Sequence, residues 1–318
     1  MNRLFELKTV YGIHLSRCFE ASLGIDPLLS PKKCSLNCIF CPLGETIVKT
    51  IKPSIYVDLD RVIRDLMNFI DKNGLIFKTT FVWGLGDPLL NYQTPVIVEK
   101  IHSLLKDMGF NGRIVVRTSG VLINSNWIKP VFKYVDENLV PIALPYSYWK
   151  IFTEPVGDFK FNNLVNSLKN IVKEYGDKLA IELVVFRYRD FTNAEESVLD
   201  ELISVIHSTR VEKIYVKTVN RPGRSIDIKP VRGELFNRVV EKMNNEGFKT
   251  IVCSDVSVNK LNIVDKTNIL LNHILRKPLS TDEIIQIYGP ESLKILEKSF
   301  VSKINWDNKI YFKLKSIR

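Results

Sequence analysis

The feature that most constrains this chain is a repeat of short, almost uninterrupted apolar runs, each followed by an amphipathic stretch. β-Branched and aromatic runs at residues 79–83, 113–117, 139–144, 179–186 and 213–218 read as strands. A buried run at 25–29 precedes them and a short one at 250–253 follows. Between them, residues 58–72, 95–108, 126–135, 161–175, 194–207 and 233–245 place apolar side chains at helical spacing. In the first of these Asp58 is an N-cap, with Arg61 and Asp65 on the exposed face. Strands that are apolar throughout, separated by helices, imply a parallel sheet covered by helices. About six such units fall short of the eight that close a barrel. The expected fold is therefore α/β, a partial parallel (β/α)6 barrel.

In parallel α/β sheets the chemistry collects at the C-terminal ends of the strands. Polar and glycine-rich residues fall there: Asp26, residues 84–88, residues 118–120, Ser147, Arg187 and Arg221. Each alone is ordinary turn chemistry. Their shared location makes them candidates for a site.

One loop carries the strongest chemical signal. Cys34, Cys38 and Cys41 stand at spacings of three and two intervening residues, with Phe40 just before the last. A closed structural zinc site takes four protein ligands, and no fourth cysteine follows closely. Cys18, Cys253 and the four histidines lie outside any C-x2-C or H-x3-H partner pattern. A zinc knuckle completed from elsewhere in the chain stays open as an alternative. A cubane iron–sulfur cluster held by three thiolates would leave one iron free for a substrate or cofactor. Arg17, Lys32 and Lys33 flank the loop and could stabilise anionic thiolates or a phosphate, or be ordinary solvated groups.

Composition narrows the classes. Of 318 residues, 45% are hydrophobic and 25% charged, which suits a globular protein of about two domains. No apolar run approaches the roughly 20 residues of a membrane span. The first eight residues carry charge and no apolar signal core, so a cytoplasmic location is expected. Five cysteines in a chain this long do not make a disulfide scaffold. The net charge of +10 favours an anionic partner, although the lysines are spread along the whole chain.

The cysteine loop, with Ser16-Arg17, residues 22–26, Gly44, Gly86-Asp87-Pro88 and residues 218–222, resembles the radical S-adenosylmethionine superfamily over residues 10 to 252. Within it the chain is most similar to the wyosine-tRNA-synthetase-like group. The resemblance implies that Cys34, Cys38 and Cys41 hold a [4Fe-4S] cluster whose open iron binds S-adenosyl-L-methionine. It implies that Gly86, Asp87 and Pro88 form the turn that receives the methionyl amino group. Phe40 would lie against the adenine, and Thr118, Ser119 and Ser147 would contact the ribose or the methionyl carboxylate. Arg187 would pair with that carboxylate. An electron donor such as ferredoxin or flavodoxin is implied as a partner. Asp87 stands where the family commonly has glutamate, Ser119 where it has asparagine, Cys18 where it has arginine and Gly223 where it has proline. Cys18 could be a catalytic thiol, a second-metal ligand or a small buried residue, whereas Cys253 reads as structural.

The pattern changes after residue 262, giving an expected division into a radical-enzyme barrel, 1–262, and a winged-helix-like domain, 263–318. Residues 265–275 and 291–299 read as helices. Residues 280–283 form a capping-box signature before another helix. Residues 301–306 and 309–314 read as a hairpin. The hairpin and tail carry Lys303, Lys309, Lys313, Lys315 and Arg318, suited to backbone contact with a nucleic acid more than to base readout, as the third helix mixes Lys294 and Lys298 with Glu291 and Glu297. A packing or dimerisation unit is the alternative. The expected function is reductive cleavage of S-adenosylmethionine for modification of tRNA or another nucleic acid. A radical enzyme acting on a protein or small molecule, and a non-catalytic metal-stabilised nucleic-acid-binding protein, are the alternatives. No catalytic side chain is assigned.

Overall fold

The computed structural model describes residues 5–254, 261, 263–297 and 301–314. The chain opens with β1 (Val10–Ser16), β2 (Glu20–Ile25), β3 (Lys33–Cys34) and β4 (Val48–Lys49). Then come α1 (Leu59–Asn73), β5 (Thr79–Val82), α2 (Thr94–Asp107), β6 (Arg113–Arg117), α3 (Val131–Tyr134) and β7 (Glu137–Pro141). Next are α4 (Tyr146–Thr153), α5 (Phe161–Tyr175), β8 (Leu179–Tyr188), β9 (Phe191–Thr192), α6 (Glu196–Thr209) and β10 (Lys213–Thr218). β11 (Ile228–Pro230), α7 (Gly233–Asn245) and β12 (Lys249–Val252) complete the series. The C-terminal part adds α8 (Lys266–Arg276), β13 (Leu279–Ser280), α9 (Thr281–Tyr288), α10 (Leu293–Glu297), β14 (Val301–Trp306) and β15 (Lys309–Leu314).

The main sheet runs β1-β2-β5-β6-β7-β8-β10-β12 and is parallel from β2 onward. A flat sheet would hold the β1–β2 turn roughly 30 Å from β12, at about 4.8 Å per strand. Instead Cys18 in that turn forms a disulfide with Cys253 just after β12, with Cα atoms 4.7 Å apart. Phe19 packs on Tyr215 at 4.9 Å. The sheet is thus curled into a partial barrel, as expected, and its two edges are joined covalently. This corrects the catalytic-thiol and metal-ligand readings of Cys18.

Strand alternation sorts the side chains. Phe81, Val115, Leu139, Ala180 and Tyr215 face inward and, with Phe19, close one end of the barrel as an apolar layer. Two residues further along, Trp83, Arg117, Glu182 and Lys217 line an open cavity. The intervening Val82, Val116, Val140, Ile181 and Val216 face out into the helix-side core.

Three local expectations differ. The strand expected at 25–29 is β2, which ends at Ile25; beyond it the Asp26 carboxylate accepts from Leu28 and Leu29 N–H at 3.0 and 3.2 Å, turning the chain. Residues 126–135 are split into a 3-10 turn, Asn126–Ile128, and α3, because Pro130 lacks the donor a continuous helix needs. Asp65 is buried, accepting from Thr9 N and Oγ1 at 2.9 and 3.0 Å and so tying α1 to the start of β1. Asp58 does cap α1, at 2.8 Å from Arg61 N.

The C-terminal strands form a separate sheet, β13-β15-β14. Ser280 and Glu283 make the capping box, and Asp307 and Asn308, both at positive φ, form the two-residue hairpin turn. The hairpin lies on the barrel. Trp306 Nε1 donates to Ile228 O and Tyr311 OH to Asn220 O, each at 2.7 Å. Lys309 pairs with Asp282 at 3.4 Å, and Lys313 Nζ donates to Leu43 O at 3.2 Å. Lys298, Lys315, Arg318 and residue 262, the last before the expected domain boundary, lie outside the described residues. Among the described residues no helix is long and apolar enough to cross a membrane.

Candidate functional site

The cysteine loop is built as a shelf at the top of the sheet. Lys33 N–H donates to Leu85 O at 2.9 Å, and Asp87 N–H donates to Lys33 O at 3.0 Å. β3 therefore lies directly on the glycine turn. A Cβ on Gly86 would stand 1.6 Å from Lys33 O, and its φ is +134°, so only glycine fits here. On the other side Asn37 and Ile39 N–H donate to the carbonyls of Thr153 and Phe152 at 2.7 and 2.8 Å. The loop is pinned between the turn after β5 and the end of α4.

Cys34, Cys38 and Cys41 are half-buried and unpaired, and all three line one pocket of about 480 Å³ with Phe40, Gly86 and Asp87. Burial pushes the Cys34 thiol up to about 12 and also raises Cys38, where the neighbouring thiols add to it. Burial opposes ionisation of Cys41 too, but the Lys32 ammonium, the Leu43 backbone and Arg117 together outweigh it and hold Cys41 below its ordinary value. Lys32 Nζ lies 3.3 Å from Cys41 Sγ and donates to Gly44 O at 2.6 Å. Lys33 turns away to the carbonyls of Leu28, Leu29 and Pro31. Of the two flanking lysines, Lys32 is thus the one that faces sulfur.

Asp87 is buried and fully engaged. It accepts from Thr118 Oγ1 at 2.8 Å, Ser119 N at 3.1 Å, Leu89 N at 3.1 Å and the Ser119 hydroxyl. Burial raises its carboxyl and these donors oppose the rise. Asp87 therefore fastens the glycine turn to the end of β6, and Thr118 and Ser119 line the pocket beside it. Pro88 is buried as the first residue of a 3-10 turn. Ser147 and Arg187 are not brought to this pocket. Ser147 is exposed in the first turn of α4, its hydroxyl on Glu201 at 2.8 Å. Arg187 is exposed where β8 runs on past the barrel to pair with β9 and β11.

The thiols fit a cluster. All three face one cavity, none is oxidised, and Lys32 and Arg117 set positive charge beside them. Among the described residues, no three His, Cys, Asp or Glu side chains converge on a single ion. A cubane instead spreads its thiolates over separate irons.

A second cavity of about 870 Å³ adjoins the first, sharing Phe40, Trp83 and Arg117 as a wall. Its floor is a charged row that the sequence reading did not single out. Arg117 Nε and Nη2 donate to one Glu182 oxygen at 2.8 and 2.6 Å, and Lys217 holds the other. Burial alone would raise Glu182, but these two cations hold it at about 2. Burial lowers Lys217 to about 8. The available signal was a charge two residues beyond an inward apolar position in each of three mainly apolar strands.

The family model for the Radical SAM superfamily matches residues 29–187, half of the chain. A UPF0026 protein of Synechocystis is 26% identical over 240 residues, covering 75% of this chain and 82% of its own length. The crystal structure of a radical SAM methyltransferase from Sphaerobacter thermophilus superposes with a TM-score of 0.52 at 16% identity, over 73% of this chain and 65% of that one. TYW1 with a lysine-pyruvate adduct bound superposes at 0.50 with 16% identity, over 71% of this chain and 74% of that one. At these identities the likeness to both structures is one of fold.

Proposed function

Because this chain belongs to the radical SAM superfamily and is an enzyme of that class, we propose that Cys34, Cys38 and Cys41 hold a [4Fe-4S] cluster and that S-adenosylmethionine occupies the pocket they share with Gly86, Thr118 and Ser119. When bound and reduced by a donor such as ferredoxin or flavodoxin, this pair supplies a 5′-deoxyadenosyl radical that abstracts a hydrogen atom from a substrate. The observation that carries the reading is that three free thiols and the glycine turn line one cavity.

The chain's own residues do the rest. Three thiolates leave one corner of a cubane without a protein ligand. Lys32 and Arg117 offset the negative charge of the sulfurs. Asp87 keeps the glycine backbone in place through Thr118 and Ser119. Phe40, only 8% exposed and packed on Phe186 at 5.5 Å, forms part of the apolar wall that the two cavities share.

The second cavity is the substrate chamber in this proposal, and the substrate is a nucleic acid, tRNA first. The net charge of +10 supports it, as does the chamber's cationic lining. Residues 1–262 are the catalytic part, residues 263–318 cap it, and the location is cytoplasmic. A small molecule is the second reading. It is favoured by the hairpin's use of Trp306, Tyr311 and Lys313 to dock on the barrel, which removes them from a free nucleic-acid face. Nucleoside analysis of tRNA incubated with the reduced enzyme separates the two. A new or altered nucleoside is expected, and an unchanged profile counts against tRNA.

A further inference from the structure

We propose that the larger cavity is an oxyanion site, in which the substrate presents a carboxylate or phosphate group to Lys277, a residue supplied by the C-terminal cap. The proposal rests on reading the adjoining pocket as the cofactor site and specifies what the substrate must carry.

Charge balance is the first argument. The cavity is lined by Arg17, Arg117, Lys217, Arg221 and Lys277, against the single carboxylate Glu182. Glu182 is already shared by Arg117 and Lys217. Glu283, behind the wall, takes Arg221 at 2.9 Å, and Arg17 donates to Thr218 O. Among the described residues Lys277 has no ion pair or side-chain hydrogen bond, although it lines the cavity. Lys277 is half-buried beside four further cations, and the nearest carboxylate outside the cavity, Glu283, is already bound to Arg221; cations crowded in this way are ordinarily paired or neutralised. An arriving oxyanion is the missing partner.

The placement of Lys277 is the second argument. It follows directly on α8, whose last residue, Arg276, is locked by Asp26 at 2.8 Å and by Asn272 O at 3.0 Å. Arg221 holds the next residue of the cap, donating to Pro278 O. The backbone on both sides of Lys277 is therefore fixed, and its side chain is aimed between the cap and β10. The ammonium is thus carried on a fixed stretch of backbone, so a ligand has to order only the lysine side chain. Burial and the facing cations Arg221, Lys217 and Arg17 depress its proton affinity, and the nearby Glu283 carboxylate, already bound to Arg221, only partly offsets them. His14, 5% exposed on the same wall with Nδ1 unpartnered, adds a neutral polar group.

The test is calorimetric titration of the reconstituted holoenzyme with inorganic phosphate and, separately, malonate, at low ionic strength. One saturable site is expected for at least one probe, and the tighter probe identifies the group as phosphate or carboxylate. Lys277→Met is expected to weaken it at least tenfold, and Lys277→Arg to keep it within about threefold, as a guanidinium still offers charge and donors. Thermal unfolding of Lys277→Met is read alongside, so that lost binding is scored only in folded protein. Lys277→Gln replaces it if the methionine variant does not fold. No binding of either probe, or equal affinity in Lys277→Met, overturns the proposal. Cluster absorption read in the same samples separates the two readings. Lys277-dependent binding without a cluster supports the oxyanion site and counts against the cofactor reading; a cluster with Lys277-independent binding does the reverse.

Discussion

Asp26 and Arg276, 250 residues apart in sequence, form an ion pair at 2.8 Å in which both side chains are fully shielded from solvent. One carboxylate oxygen shapes the turn that leads to the cysteine loop, and the other receives the end of α8. The C-terminal part and the cysteine loop are thereby one mechanical unit. Removing one member of a buried pair costs about 3–5 kcal/mol. Arg276→Met should lose stability of that order in denaturant unfolding while keeping a single transition. A loss under about 1 kcal/mol, or a separate early transition of the cap, would contradict the account.

Gly86 supports the loop from below. Gly86→Ala must relieve a 1.6 Å overlap with Lys33 O and a φ of +134°. Strain of this kind costs about 1–3 kcal/mol, and displacing Lys33 displaces Cys34. Cluster occupancy after reconstitution, read from iron content and visible absorption, should fall well below wild type. Gly109→Ala provides the control: φ is also positive, but nothing lies within 4 Å of the added Cβ. It should reconstitute normally.

How much of this was legible in the sequence can be judged from these residues. Apolar strand runs and helical spacing were enough for the partial barrel, because burial on both faces leaves a clear pattern. The cysteine loop was legible because its three cysteines are close in sequence. Ser147 and Arg187 were read as strand-end ligands, but strand ends mark a level in the barrel, not a direction. α4 carries Ser147 to Glu201, and β8 carries Arg187 out into a side hairpin. Cys18 with Cys253, Asp26 with Arg276 and the row Arg117–Glu182–Lys217 are long-range pairings. Nothing local encodes such partners. The inward charges at 117, 182 and 217 were a visible trace of the last.

The disulfide joins the two edges of the sheet across a separation of 235 residues. Unreduced, denatured protein should react as three thiols and reduced protein as five. Cys253→Ser should lower stability by about 2–4 kcal/mol, as expected for a long closed loop. Five reactive thiols without reduction would show the bridge absent.

Acid stability should track Glu283. Burial would raise its carboxyl, but Arg221 and Lys277 hold it at about 2 against its ordinary 4.5. The folded state thus binds the proton more weakly than the unfolded chain does. Its contribution is full above about pH 4.5 and is lost as pH falls toward 2. Glu283→Gln should flatten the fall in melting temperature between those values. An unchanged slope would assign acid sensitivity to other groups.

The central claim is that three thiols hold a cluster with one open corner. Anaerobically reconstituted wild type, given a strong reductant and S-adenosylmethionine, should form 5′-deoxyadenosine, and Cys38→Ala should form none and lose the cluster absorption. Stoichiometric zinc without cleavage in the wild type, or equal cleavage in Cys38→Ala, would contradict it.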